Sequence, residues 1–101
     1  MSKKSITTTN APVAIGPYSQ GVDLGDLVLT SGQIPINPET GDIPEGIEAQ
    51  AKQSLANVKG VIEASGLKME NVVKMTVFLK DMALFGAMND VYKTFFVEPY
   101  P

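Results

Sequence analysis

The sequence predicts an α+β domain, with helices layered on one face of a sheet. Three observations carry this: a hairpin signal at Gly25-Asp26, helical spacing of apolar residues from Ile47 to Ile62, and strict alternation from Asn71 to Lys80. At 101 residues, 44% of them hydrophobic, the chain suffices for one core and not for two. A domain this small with no disulfide gains stability by associating with copies of itself, so oligomerisation is expected.

Taken in order, Ser5 to Thr9 is β-branched and polar, which suits a short edge strand leading into Asn10-Ala11-Pro12. Val22-Asp23-Leu24 and Leu27-Val28-Leu29 flank Gly25-Asp26, a dipeptide suited to the positive φ angles of a two-residue hairpin turn. Three prolines and two glycines between Ile34 and Gly46 exclude a helix interior or central strand and favour an ordered loop. Ile47, Ala51, Leu55, Val58 and Ile62 then make one helical stripe, with Glu48, Lys52, Lys59 and Glu63 opposite and Gly66 as the stop.

From Asn71 to Lys80, Val73, Met75, Val77 and Leu79 alternate with Lys74, Thr76, Phe78 and Lys80, the pattern of a half-buried strand. Asp81 suits the cap of a second helix, with Phe85, Met88, Tyr92 and Phe95 on one stripe and Pro99 where it must stop. A helix reaching Glu98 and followed only by Pro-Tyr-Pro lacks the strand to which such a layout normally returns. The 101 residues are therefore expected to be an incomplete record of a longer protein.

Composition narrows the chemistry. With neither Cys nor His, the chain offers no disulfide, thiolate nucleophile, imidazole base or ordinary zinc site. All eight basic residues are lysines, so no guanidinium fork is present for bidentate carboxylate recognition. The net charge of −3, with no basic cluster beyond Lys3-Lys4, argues against nucleic acid or an anionic membrane as partner. The N-terminal stretch MSKKSITTTN has no apolar h-region and no apolar run approaches membrane-spanning length, so a cytoplasmic location is expected.

The densest polar cluster joins Gly16-Pro17-Tyr18-Ser19-Gln20 to Thr30-Ser31-Gly32-Gln33, at the outer ends of the hairpin. If the ladder continues unbulged, Tyr18 faces Gln33. Such a patch suits an anion or small polar ligand, because glycine lets backbone N–H groups approach an oxyanion. Turn chemistry at strand ends explains the same residues. Asn89, on the polar side of the second helix, is either a solvated asparagine or a ligand contact. Tyr92, Phe95 and Phe96 have the spacing of a buried stripe, and the carboxylates of the first half fit solvated turns and a helix N-terminus.

Taken together, IGPYSQGV, LVLTSGQIPINPETGDIP, QAKQSLANVKGVIEASGL, VVKMTVFLKD and MNDVYKTFF resemble the Rid (YjgF) family in order and spacing. The resemblance implies one domain over residues 1–101, lacking the family's C-terminal strands, with a chorismate-mutase-like mixed sheet and two helices on one face. It implies a homotrimer with clefts between subunits. The implied activity is that of a hydrolase acting on C=N bonds, converting 2-iminobutanoate and 2-iminopropanoate to 2-oxo acids and ammonia without a cofactor. Tyr18 and Asn89 would line the cleft, Ser31 would border it, and the Gly32 amide would bind the substrate carboxylate.

Pro101 aligns with the proline of the family's Pro-Ala-Arg segment, so the family's substrate-binding arginine, a following cysteine and a later Glu-containing strand have no counterpart here. Little deaminase activity is therefore expected of these 101 residues alone. The competing expectation is a non-enzymatic trimer holding a small carboxylate as a regulator, since fold does not determine function. A ribonuclease role, also attached to relatives, fits poorly with an acidic chain without histidine.

Overall fold

The hairpin forms where Gly25 and Asp26 direct it. In the computed structural model, which describes residues 3–101, strands β2 (Gly21–Asp23) and β3 (Val28–Thr30) pair antiparallel, with Val22 opposite Leu29. Gly25 has φ +96° and Asp26 a negative φ, so the turn needs one left-handed residue rather than two, the type II′ pattern. The Leu24 N–H donates to the Leu27 carbonyl at 2.8 Å, and the Asp23 carboxylate accepts the Gly25 N–H.

Strand β1 (Lys4–Ile6) pairs antiparallel with β2 as an edge strand, one residue earlier than expected and shorter. It stops because the Thr8 N–H and C=O turn away to the side chain of Gln20. The sheet order is β1-β2-β3, all antiparallel among the described residues. Met1 and Ser2, which open the stretch read above as lacking an h-region, lie outside the described residues.

Helix α1 (Ile47–Ala64) starts after Gly46, with Glu48 in its first turn, where a negative charge favours the helix dipole. It ends as Gly66 predicts. At φ +90°, Gly66 donates its N–H to Glu63 O while the Leu67 N–H reaches Ile62 O, the paired bonds of a Schellman motif. Leu55, Val58 and Ile62 pack with Met69 and Phe96 in one cluster, whereas Val61, fully buried, joins Ile6 and Ala11 against the sheet. The helix thus buries two faces, of which the periodicity predicted one.

Two expectations are corrected. Residues 71–80 do not form a paired strand: after a 3₁₀ turn at Met69–Asn71 the chain runs on with Met75 against the core, but Val73 and Phe78 are 81% and 92% exposed. Among the described residues nothing lies alongside to complete a ladder. The second helix, α2 (Phe85–Tyr92), is shorter than expected. Asp81 accepts the Ala83 N–H, but it caps a 3₁₀ turn, Met82–Leu84, that leads into α2.

Helix α2 ends at Tyr92, well before Pro99, where Thr94 and Phe95 bond three residues back and the Thr94 hydroxyl donates to Val91 O. The stripe shifts accordingly: Met88 and Phe96 are buried and Phe85 is half exposed. The rings of Tyr92 and Phe96 pack tilted with centroids 4.8 Å apart, as core rather than as a stacking platform. A Cβ at Gly86 would meet nothing within 4 Å, so Gly86→Ala is expected to stabilise the fold by about 0.5–1 kcal/mol, read from the urea midpoint. An unchanged or lower midpoint would contradict that.

Candidate functional site

A groove of about 1290 Å³ lies between the free edge of β3 and the unpaired segment 71–79. Its floor is one side of the core, including Leu55, Val58 and Tyr92. Ser31, Gly32 and Gln33 line one wall, while Lys74 and Thr76 belong to the other. Burial pushes the Tyr92 phenol above its ordinary pKa, so it stays neutral at physiological pH, and its hydroxyl donates to the Pro101 carbonyl at 3.1 Å.

The hairpin register carries Ser31 to this wall. The Ser31 N–H donates to Gln20 O at 2.9 Å, continuing the ladder by one bond, and the Ser31 hydroxyl donates to Ser19 O. With its proton committed, that hydroxyl offers a ligand its lone pairs only. Gly32 follows, exposed, with nothing within 4 Å of its absent Cβ. Its N–H donates to no group among the described residues. An accessible backbone donor is suited to one oxygen of a carboxylate.

The ladder does not extend to Tyr18 and Gln33. Tyr18 lies in a tight turn, its N–H bonded to Gly16 O at 2.8 Å, with its ring beside Gly16 and 50% exposed. Asn89 is exposed on α2, next in sequence to the buried Met88. Neither Tyr18 nor Asn89 lines the groove that Ser31 and Gly32 line. Of the four residues singled out from the sequence, the chain therefore brings together two.

Two further residues matter that the spacing did not single out for their burial: Gln20, 4% exposed, and Asn57, 0%. The Gln20 side chain accepts the Thr8 N–H at 2.7 Å and faces the carbonyls of Thr8, Ala11 and Pro12 with its amide nitrogen at 3.0, 3.2 and 2.7 Å. From α1, the Asn57 side chain donates to Ile34 O and Ile36 O at 3.1 and 2.9 Å, and Gln53 holds its oxygen at 2.9 Å. An available signal was Asn57 and Gly60, both poor helix formers, placed beside Val61 in mid-helix.

The carboxylates behave as expected of turns and a helix start, and no three His, Cys, Asp or Glu side chains among the described residues come together to hold a metal. No helix among them is long and apolar enough to cross a membrane.

Comparison with known proteins places this architecture. The chain is 58% identical over 95 residues to the 2-iminobutanoate/2-iminopropanoate deaminase of Escherichia coli K12, covering 94% of this chain and 74% of that protein. It superposes with a TM-score of 0.90 on the crystal structure of the Escherichia coli YjgF gene product, at 58% identity over 91% of this chain and 72% of the other. The same TM-score and coverage hold, at 54% identity, for Escherichia coli TdcF with bound serine. The α+β arrangement and the Rid resemblance agree with these neighbours, and the endoribonuclease L-PSP family model matches residues 8–101. The chain belongs to the endoribonuclease L-PSP family, that of the Rid (YjgF) proteins.

Proposed function

We propose that the protein hydrolyses 2-iminobutanoate and 2-iminopropanoate to 2-oxobutanoate and pyruvate with release of ammonia. The observation that carries this reading is the 58% identity, over 94% of the chain, to a relative that bears this activity in its name. The site chemistry agrees with it. A protonated 2-imino acid is already electrophilic, so catalysis needs chiefly a held carboxylate and a positioned water. Water adds to the C=N carbon; a proton passes from oxygen to nitrogen; the C–N bond breaks, leaving the 2-oxo acid and ammonium.

In this reading the free Gly32 N–H binds a carboxylate oxygen, Ser31 borders the substrate, and Tyr18 and Asn89 contribute walls. No catalytic group is assigned, because the arginine implied by the family pattern has no counterpart in a chain whose basic residues are all lysine. Tyr18 and Asn89 stand outside the groove of Ser31 and Gly32, which favours a cleft completed by a neighbouring copy in a homotrimer. Exposed Ile15, Val73, Phe78 and Val97 supply apolar surface for such contacts. A cytoplasmic setting is part of the same reading.

The part of the groove between Val28–Thr30 and segment 71–79 we infer to be the seat of further strands of the same domain, leaving Gly32, past the end of β3, to the substrate. β3 presents a free edge, segment 71–79 lines the groove across from it unpaired, and the chain spans 74% of the length of its curated relative. The test joins residues 1–101 to the last quarter of the Escherichia coli relative and assays this extended form beside the chain itself. Imines are generated by threonine dehydratase in the presence of semicarbazide, which competes for them. The extended form is expected to suppress semicarbazone formation; undiminished semicarbazone would sink the deaminase reading.

A further inference from the structure

We infer that Gln20 and Asn57 are positioning residues for the carboxylate-binding amide of Gly32, an inference that rests on the deaminase reading above. They are the two buried polar side chains among the described residues, and every buried side-chain polar atom there is hydrogen-bonded. Burying an amide is costly unless all its groups are paired, so a purely space-filling role would be met more cheaply by an apolar side chain. What both amides hold is irregular backbone, whose partly buried carbonyls have no ladder to enter.

The two sets of bonds fall on either side of Gly32. Upstream, Ser31 hangs from Gln20 O and Ser19 O, and residue 20 is in turn fixed by its side chain among Thr8, Ala11 and Pro12. Downstream, Asn57 fixes Ile34 O and Ile36 O to helix α1, and the Gln53 amide keeps Asn57 oriented. Only Gly32 and Gln33 lie between the anchored Ser31 and Ile34. Gly32 itself touches nothing where a Cβ would be, so its direction is set by these two ends, with the Gln33 side chain donating across it to Ser31 O at 3.3 Å, and by no packing of its own. A donor aimed in this way loses little freedom on binding an anion, which is the advantage of preorganisation.

The experiment compares Asn57→Leu, Gln20→Met and the milder Gln53→Leu, which leaves Asn57 in place but unoriented, with Met69→Ala as a destabilised core control. In the 101-residue chain, backbone ¹⁵N relaxation is expected to take the Gly32 order parameter from about 0.85 towards 0.6 in the first two variants, with a smaller fall in the third. Met69→Ala leaves it unchanged. In the extended form, Asn57→Leu and Gln20→Met are expected to raise KM roughly 10-fold with kcat within about 2-fold, the signature of lost binding common to ground and transition states. A merely structural role would lower the active fraction, and with it kcat, at constant KM. Gly32 order unchanged in all three variants, or kcat falling at constant KM, overturns the inference. Changed Gly32 order without any imine turnover upholds the positioning and removes the deaminase reading instead.

Discussion

Gly60→Ala is expected to destabilise the fold by about 1–3 kcal/mol, although the same change in an exposed helix interior would gain about 1 kcal/mol from helix propensity. The reversal comes from the approach of the N-terminal loop to α1. A Cβ at position 60 would sit 2.5 Å from the Asn10 carbonyl oxygen and 3.0 Å from its carbon, too close for backbone to tolerate without moving. That loop has little room to retreat. Thr8, Ala11 and Pro12 on either side of Asn10 are bonded to Gln20, and Ala11 is itself buried. The urea midpoint should fall with an unchanged m-value, and the melting temperature by roughly 4–8 °C per kcal/mol. A variant as stable as the parent would show that the loop is looser than its hydrogen bonds indicate.

Gly21 makes the complementary contact on the sheet side, where a Cβ would meet Val61 Cγ1 at 2.8 Å. Gly60 and Gly21 together let α1 lie close against both the loop and strand β2. The second buried face of the helix, Asn57 and Val61 with Gly60, follows from these approaches. It was hidden in the sequence because a stripe of Ile47, Ala51, Leu55, Val58 and Ile62 already accounted for an amphipathic helix, and a mid-helix glycine or asparagine lowers propensity without naming its neighbour.

What could be read directly were features decided by local chemistry. Positions 25 and 26 fix the pairing of Val22 with Leu29 and of Gly21 with Thr30, because a two-residue turn leaves the register no freedom. Gly66 ends α1 because a left-handed residue is needed there. Features decided by distant groups were not legible. The 71–80 alternation describes a strand's preference, but pairing needs a neighbour, and among the described residues that edge has none. Likewise α2 stops at Tyr92 through side-chain and three-residue backbone bonds at Val91 to Phe95, seven residues before the proline that seemed to end it.

The candidate site divides along the same line. Ser31 and Gly32 share one wall of the groove because they continue β3, whereas Tyr18 depended on the ladder persisting past Ser19, and the tight turn at Gly16 to Tyr18 ends it. The buried amides of Gln20 and Asn57 bind main-chain carbonyls 8 to 23 residues away in sequence. No local pattern encodes such a bond.

Gly32→Pro is expected to raise KM for imine hydrolysis by the extended form roughly 10- to 100-fold while leaving the fold intact. Proline removes the one group at this position that the proposed mechanism uses, the N–H, and a hydrogen bond to a charged carboxylate is worth about 1.5–3 kcal/mol. Gly32 does not occupy the left-handed region, nothing lies within 4 Å of its Cβ position, and among the described residues its N–H has no protein partner to lose. The preceding Ser31 continues strand β3, the extended conformation that a following proline favours. Gly32→Ala retains the N–H and adds a methyl into open space, so its KM should stay within about 2- to 3-fold of the parent. The pair separates the amide from the mere smallness of glycine: a high KM in the proline variant alone assigns the carboxylate to the backbone donor, equal effects assign the site to steric access, and a silent proline variant removes Gly32 from substrate binding altogether.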